Sequence, residues 1–189
     1  WIKRFPNFHS INTSVLTYIK QTSDGGYMIG ATRSGSRGGN DFWMAKVDSA
    51  GNEKWQKDIG GDRQDDLLSF QSTSDGGYLL AGQTFSGVSG DKTETLRSMR
   101  DWWIVKTDNQ GTILWQKELS GNGQSHSELH IAKQSRDGEY ILGGSSDSNN
   151  GGDKTVTGSV WLVKLFLDPW YIRGTIFGDY NNDCIMNAS

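Results

Sequence analysis

The chain has 189 residues, with 19 Lys and Arg against 22 Asp and Glu, a formal net charge of −3, and eight tryptophans. This balance argues against a nucleic-acid-binding protein, which needs a basic face, and the aromatic content argues against a disordered chain. No apolar run reaches the roughly 18 residues of a membrane span, and one cysteine excludes an internal disulfide. Glycine is frequent, with 25 residues, or about 13 % against roughly 7 % on average, so we expect a glycine-rich and aromatic-rich all-β protein.

Three sequence motifs recur along the chain. Asp-Gly-Gly-Tyr at 24–27 returns at 75–78 and, as Asp-Gly-Glu-Tyr, at 137–140. A strand motif with a tryptophan occurs at 41–46, 101–106 and 159–164, so that Trp43, Trp103 and Trp161 are separated by 60 and 58 residues. Trp-Gln-Lys begins at Trp55 and again at Trp115, and Trp1 fits the same position. The chain therefore contains three copies of one unit, which begin near residues 1, 55 and 115.

Each copy is predicted to form four short strands. In the second copy, alternating apolar residues bounded by glycine-containing turns predict strands at 66–72, 77–84, 101–107 and 112–119. Four strands in a repeat of about 50–60 residues are typical of a β-propeller blade. We therefore expect an all-β fold in which residues 1–165 form three four-stranded blades. Because propellers have roughly four to eight blades, we expect these three to belong to a larger ring of a longer protein.

The repeat resembles that of a bacterial seven-bladed β-propeller family of large surface and secreted proteins. The resemblance covers about residues 1–165 and rests on Asp-Gly-Gly-Tyr, on Gly-Asp-Lys-Thr at 90–93 and 152–155, and on the tryptophan strand followed by Asp-x-x-Gly. It implies a cell-surface or secreted location on the extracellular face of the outer membrane. It also implies export by the type IX secretion system of gliding bacteria, whose secretion and outer-membrane machinery would then be partners.

The resemblance further implies a non-enzymatic function in binding or adhesion, with an extracellular glycan or a surface protein as ligand. The residues agree, because the chain lacks a Gly-x-Ser-x-Gly elbow, a phosphate-binding loop and zinc-site spacing. We therefore expect no enzymatic activity and no catalytic residues in this chain. The alternative is a propeller hydrolase or lyase that acts on polysaccharide, with its catalytic residues outside these 189 residues.

The recurring tryptophans are predicted to pack between blades, because a residue present in every copy serves what every copy needs. An aromatic platform for sugars is the alternative. Trp102 lies on the opposite face of its strand from Trp103 and is predicted to pack against the next blade.

The loop between the second and third strands differs most between copies, spanning 34–40, 86–100 and 146–158. We expect the two longer loops, with the connections near Gly61 and Gly121, to form a ligand-facing surface. For Asp91 and Asp153 within these loops the alternative is bonding to backbone amides in turns.

Two further patterns suggest metal ligands. His126, Glu128 and His130 alternate on a strand and so share a face, which fits a metal site or a solvated strand start.

After residue 165 the repeat stops, and we expect a linker at 166–171 and the start of a β-sandwich-like domain at 172–189. This segment is similar to the opening of calcium-binding, immunoglobulin-like surface domains. The predicted calcium ligands, at alternate positions of an Asp-x-Asn-x-Asp loop and beyond, are Asp179, Asn181, Asp183 and Asn187. An Asn/Asp-rich turn is the alternative, since Cys184 stands where such loops carry glycine.

Overall fold

The computed structural model describes residues 2, 16–35, 38–121, 123–147, 151–154, 159–167, 172–178 and 187–188. Of these, residues 16, 17, 123–125, 167, 172–178 and 187–188 are described as backbone only. The described residues are all-β and form two sheets, one of four strands and one of nine, within which the strands fall into three successive antiparallel units. Within these ranges, no helix has the length and apolar character needed to cross a membrane.

Each unit is built from strands that pair with their neighbours in chain order. Unit 1 contains β1 (Leu16–Gln21), β2 (Tyr27–Ser34), β3 (Asn40–Val47) and β4 (Glu53–Ile59). Unit 2 contains β5 (Asp65–Ser72), β6 (Tyr78–Thr84), β7 (Ser98–Thr107) and β8 (Ile113–Leu119). Unit 3 contains β9 (Gly123–Gln134), β10 (Tyr140–Ser146), β11 (Val160–Leu167), β12 (Ile172–Gly178) and the short β13 (Asn187–Ala188).

The strands predicted for the second copy are confirmed to within one residue, except at the start of β7. This strand begins at Ser98, three residues before the predicted position. The additional residues pair in parallel with the start of β9, through Ser98 with Gly123 and Arg100 with His126. The end of the inserted loop thus joins units 2 and 3 by backbone hydrogen bonds.

The segment for which the sequence predicts a second domain contributes a strand to unit 3. β12 pairs antiparallel with β11, from Leu162 opposite Phe177 to Leu167 opposite Ile172. It occupies the place that β4 and β8 hold in units 1 and 2. The physical reason is that the outer edge of β11 carries unpaired backbone groups, which a following extended segment satisfies. The domain ranges 1–165, 166–171 and 172–189 stay a prediction.

The hydrophobic core lies between the units. On β7, Trp103 and Val105 pack toward unit 1, against Phe42 and Met44, whereas Ile104 belongs to the cluster shared with unit 3. Because both faces of the central strands are covered, every residue of β6 is buried. Apolar runs without alternation are expected of strands covered on two sides.

Packing between units is confirmed for Trp103 and Trp161, whereas Trp43 is buried in a cluster of unit 1 residues. Trp43, Trp103 and Trp161 have no exposed surface, and neither has Trp102. The rings of Trp102 and Trp161 lie 4.5 Å apart between units 2 and 3, as predicted for Trp102. Trp55, of the second series, is only partly buried at the edge of the core between units 1 and 2, and Trp115 is placed likewise between units 2 and 3.

The two glycines of the Asp-Gly-Gly-Tyr turn have different functions. Gly76 has φ of +85°, which residues with a Cβ adopt only under strain. Gly77 has no room for a side chain, because a Cβ there would lie 2.1 Å from the carbonyl oxygen of Thr107. The turn therefore brings β6 tightly against β7, and the same crowding at Gly26, where a Cβ would lie 2.2 Å from the Val47 carbonyl oxygen, explains the second glycine in units 1 and 2, whereas unit 3 carries Glu139 there.

Candidate functional site

The two inserted loops contact the connections between units, as the sequence predicts. In unit 2, the Asp91 amide donates to the Gly60 carbonyl oxygen at 2.9 Å, and the Gly60 amide donates to the Asp91 carboxylate at 3.3 Å. Asp153 makes the same pair of bonds with Ser120, at 2.8 and 3.1 Å. Both aspartates therefore bond backbone groups, which supports the alternative reading of Gly-Asp-Lys-Thr.

A buried charge cluster lies beneath the unit 2 loop. Lys92 forms an ion pair with Glu118, and neither side chain is exposed. Burial, together with the nearby Asp101, raises the pKa of Glu118 to about 7, against the opposing effect of Lys92. Arg97 extends the cluster toward unit 3 through its ion pair with Asp153. A carboxyl group of this pKa suits general acid chemistry, but Glu118 is inaccessible to a polymeric substrate. We therefore assign the cluster to the joining of the units.

The opposite ends of the strands carry a repeated lysine–aspartate pair. Lys46 Nζ lies 2.7 Å from Asp24 Oδ1, and Lys106 Nζ lies 2.8 Å from Asp75 Oδ2. The hydrogen bond from Lys46 holds the pKa of Asp24 far below its usual value. Partial burial alone would raise the pKa of Asp75, but hydrogen bonds from Lys106, Thr73 and the Gly77 amide outweigh it and lower the pKa to about 2. These carboxylates are ionised turn residues and poor proton acceptors near neutral pH.

A groove opens between units 1 and 2 at this same end of the strands. Its volume is about 510 Å³. The side chains of three aromatic residues, Tyr18, Trp55 and Tyr78, line it together with Met28. Its polar lining includes amides, hydroxyls and charged groups, from Lys20, Gln21, Thr22, Asp24, Ser72, Asn109 and Gln110. We call this the outer groove.

The outer groove continues along the first strands of the units. A second cavity of about 450 Å³, here called the inner groove, shares Tyr18, Lys20 and Ser72 with the outer groove. Its further lining comes from β5 and β9, including Ile131 and Lys133. Tyr18 stands between the two cavities and packs on Phe70, with ring centroids 4.7 Å apart. Together the grooves form one elongated surface with aromatic and polar groups.

The sequence interpretation missed this surface, because it placed the ligand on the inserted loops at the other end of the strands. Trp55 belonged to a series assigned to the core as a whole. The sequence does contain one indication of the groove, which is a residue that differs between the three copies. Six residues before the turn aspartate stand Tyr18, Ser69 and Ile131 in units 1, 2 and 3, so an aromatic residue occurs there in unit 1 alone.

The predicted metal ligands are not brought together within the described part of the chain. There, no group of three or more His, Cys, Asp or Glu side chains is placed to hold a metal ion. His126 Nδ1 instead lies 3.6 Å from Asp147 Oδ2, and Glu128 Oε2 lies 3.9 Å from the guanidinium group of Arg100. The calcium positions Asp179, Asn181 and Asp183 lie outside the described residues, as does the side chain of Asn187. Calcium binding therefore stays a prediction.

Comparison with known proteins identifies no family. No family model matches the chain, and no curated protein matches it. Among solved structures, it aligns with a GH43 β-xylosidase/α-arabinofuranosidase from a compost microbial metagenome, in complex with xylotriose and in a calcium-free form. The alignment covers 89 % of this chain and 71 % of that chain, at 14 % identity and a TM-score of 0.40.

The expectation that the chain is not an enzyme is corrected by this comparison. The aligned structure is a β-xylosidase/α-arabinofuranosidase. A likeness at this level assigns neither a reaction nor residues to the chain. The groove between units 1 and 2 must be interpreted from its own chemistry.

Proposed function

We propose that this chain is part of a β-propeller protein that binds polysaccharide along the outer groove, as part of an enzyme that cleaves that polysaccharide. The observation that carries the proposal is the aromatic lining of the groove. Tyr18 and Trp55 are partly exposed and lie among amide, hydroxyl and charged side chains, with the buried Tyr78 behind them. Aromatic faces pack on the apolar faces of sugar rings, while the polar groups bond to hydroxyls.

Trp55 is the residue best placed for this role. It is half-buried at the edge of the core, so part of its ring is accessible from the groove. Asn109 and Gln110, in the turn before β8, contribute exposed amides at the same end. An accessible ring beside amide donors and acceptors is a suitable lining for a neutral sugar.

The catalytic carboxylates of this enzyme are proposed to lie outside the described residues. Hydrolysis of a glycoside requires a general acid and a second carboxylate on either side of the bond. Asp24, which lines the groove, is ion-paired and ionised. Glu118, with the raised pKa, is buried against Lys92. Neither fits the function of a general acid that touches substrate.

The test compares two equivalent tryptophans. Trp115 occupies in unit 2 the position of Trp55 in unit 1, and is similarly half-buried, against Tyr140, but does not line the groove. Binding of the wild type, Trp55→Ala and Trp115→Ala to soluble xylan, arabinan, mannan and β-glucan is measured by affinity electrophoresis and calorimetry. Trp55→Ala is expected to weaken binding about two- to tenfold, the equivalent of roughly 0.5–1.5 kcal/mol for one aromatic contact.

Trp115→Ala should leave binding unchanged at temperatures where circular dichroism shows both variants to be folded. Equal losses in the two folded variants would show that the effect is not specific to Trp55 and would remove the groove from the proposal. Release of reducing ends, or of unsaturated sugars in the case of a lyase, by the intact protein would then test the enzymatic part.

We further propose that the three units are blades of a larger ring in a secreted or cell-surface protein. The repeated build of the units supports the ring, and the resemblance of the repeat to large surface proteins of type IX secreting bacteria supports this location. Separation of cell and culture fractions followed by immunodetection tests it.

A further inference from the structure

We propose that the inner groove binds the anionic groups of an acidic polysaccharide, so that the ligand of the proposed function carries carboxylate or sulfate substituents. This inference rests on the proposed function and specifies its substrate class. It is carried by the charge and the repeat positions of the inner lining.

Lys20, Gln71 and Lys133 occupy one repeat position. Each stands four residues before the turn aspartate of its unit, and all three line the inner groove. The first strands that carry them are held side by side. Lys20 Nζ donates to the Ser72 hydroxyl at 3.1 Å, and the Ser69 hydroxyl donates to the Ala132 carbonyl oxygen at 3.1 Å. The three units thus present two ammonium groups and one amide to the same cavity.

No acidic group among the described lining residues neutralises the lysines of the inner groove. Among the described residues that line it, none is Asp or Glu. Neither Lys20 nor Lys133 has a described carboxylate within salt-bridge distance, whereas Lys46 and Lys106, on the neighbouring turns, are paired with aspartates. Two exposed and uncompensated lysines in one cavity, in a chain with a net charge of −3, produce a local positive potential.

The apolar part of the lining defines how such a ligand would lie. Tyr18 and Ile131 provide a ring and a branched aliphatic side chain, and Ile131 is 47 % exposed. A sugar ring on these groups would bring its substituents near the lysines, whose ammonium groups form charge-assisted hydrogen bonds with carboxylate or sulfate oxygens. Because Tyr18, Lys20 and Ser72 also line the outer groove, the same polymer can extend toward Trp55.

Three polymers and four variants test the inference. The probes are polygalacturonate, which carries carboxylates, dextran sulfate, which carries sulfates, and uncharged xylan. The variants are Lys20→Gln, Lys133→Gln, the double variant and Lys54→Gln. Lys54 is the matched control, because it is 60 % exposed, lies on β4 and lines neither groove. Dissociation constants are measured by calorimetry at low and at high salt.

We expect one of the acidic polymers to bind more tightly than xylan, with a preference that falls as salt screens the charges. Each lysine substitution in the groove should weaken that binding about two- to fivefold, and the double variant about tenfold, without changing xylan binding. Lys54→Gln should have no effect. The two acidic polymers distinguish a uronate ligand from a sulfated one.

The outcomes separate this inference from the proposed function. Binding of xylan through Trp55 with no preference for an acidic polymer would overturn the inference alone. An equal loss in Lys54→Gln would also overturn it, since overall charge would then be responsible. Failure of all three polymers and of the neutral panel to bind would overturn both.

Discussion

Replacement of Trp103 by alanine should destabilise the protein by about 4 kcal/mol. The side chain is completely buried between units 1 and 2, and truncation of such an aromatic residue costs roughly 3–5 kcal/mol. Two contacts of Trp103 support a cost in the middle of this range. Its ring lies 5.0 Å from that of Phe42, a pairing worth about 0.5–1.5 kcal/mol. Its indole N–H donates to Gln116 Oε1 at 3.1 Å, a bond worth about 0.5–1.5 kcal/mol.

The assay is urea denaturation followed by tryptophan fluorescence and circular dichroism. For a domain of this size the loss corresponds to a fall in Tm of roughly 8–16 °C. Trp103→Phe should cost only about 1–2 kcal/mol, because the ring packing is largely kept and the indole hydrogen bond is lost. Leu114→Ala is the control, since Leu114 is 56 % exposed and its loss should change stability by less than about 0.5 kcal/mol. A loss below about 1 kcal/mol for Trp103→Ala would refute the packing of the units around this residue.

Two further predictions concern the charged groups. Lys92→Met should destabilise by about 3 kcal/mol, because it leaves the buried Glu118 with only the more distant Arg97, whose Nε lies 3.7 Å from Glu118 Oε1. The double variant with Glu118→Leu should recover most of this loss in denaturant titrations, and a single variant as stable as wild type would show that the Lys92 pair contributes nothing. Asp75 has its pKa lowered to about 2 from 3.8, so its ionised form stabilises the fold above about pH 4 and this contribution is lost as the pH falls toward 2. Asp75→Asn should therefore flatten the fall in stability between these pH values, and an unchanged acid titration would contradict the lysine–aspartate pairing.

The features predicted from the sequence are those that every unit needs. The strands of unit 2, the buried tryptophans and the turn glycines recur because each unit must pack against a neighbour and reverse its chain in the same way. The buried ion pairs could not be predicted, because their partners are far apart and change between units. Glu118 and Asp58 occupy one repeat position, three residues after Trp115 and Trp55. Asp58 is nevertheless paired with Arg33 of β2, at 2.6 Å, whereas Glu118 is paired with Lys92 of the inserted loop.

In unit 3, the fourth strand pairs through its backbone although it lacks the glutamine that the fourth strands of units 1 and 2 carry. In units 1 and 2 the tryptophan of the third strand donates its indole N–H to a glutamine of the fourth, Gln56 or Gln116. These glutamines lie opposite Ala45 and Val105, whereas the corresponding residue opposite Val163 in β12 is Ile176. Trp161 accordingly has no partner for its indole N–H in the described part of the chain. The strand still pairs, because ladder bonds between main-chain groups tolerate almost any side chain.

The grooves arise where the units differ, and for this reason repetition could not reveal them. If unit 1 carried serine in place of Tyr18, as unit 2 does at Ser69, the two cavities would meet without an aromatic residue between them. Most repeated residues take part in packing and turns and have little free surface, although Trp55 is half-buried and lines the outer groove. Tyr18 differs from its counterparts in units 2 and 3 and lines both grooves. Lys20 and Lys133 also share a repeat position, but they have no described carboxylate within salt-bridge distance, whereas the ammonium groups of Lys46 and Lys106 are already paired with aspartates of the turns. The charge that a ligand can use therefore lies on Lys20 and Lys133.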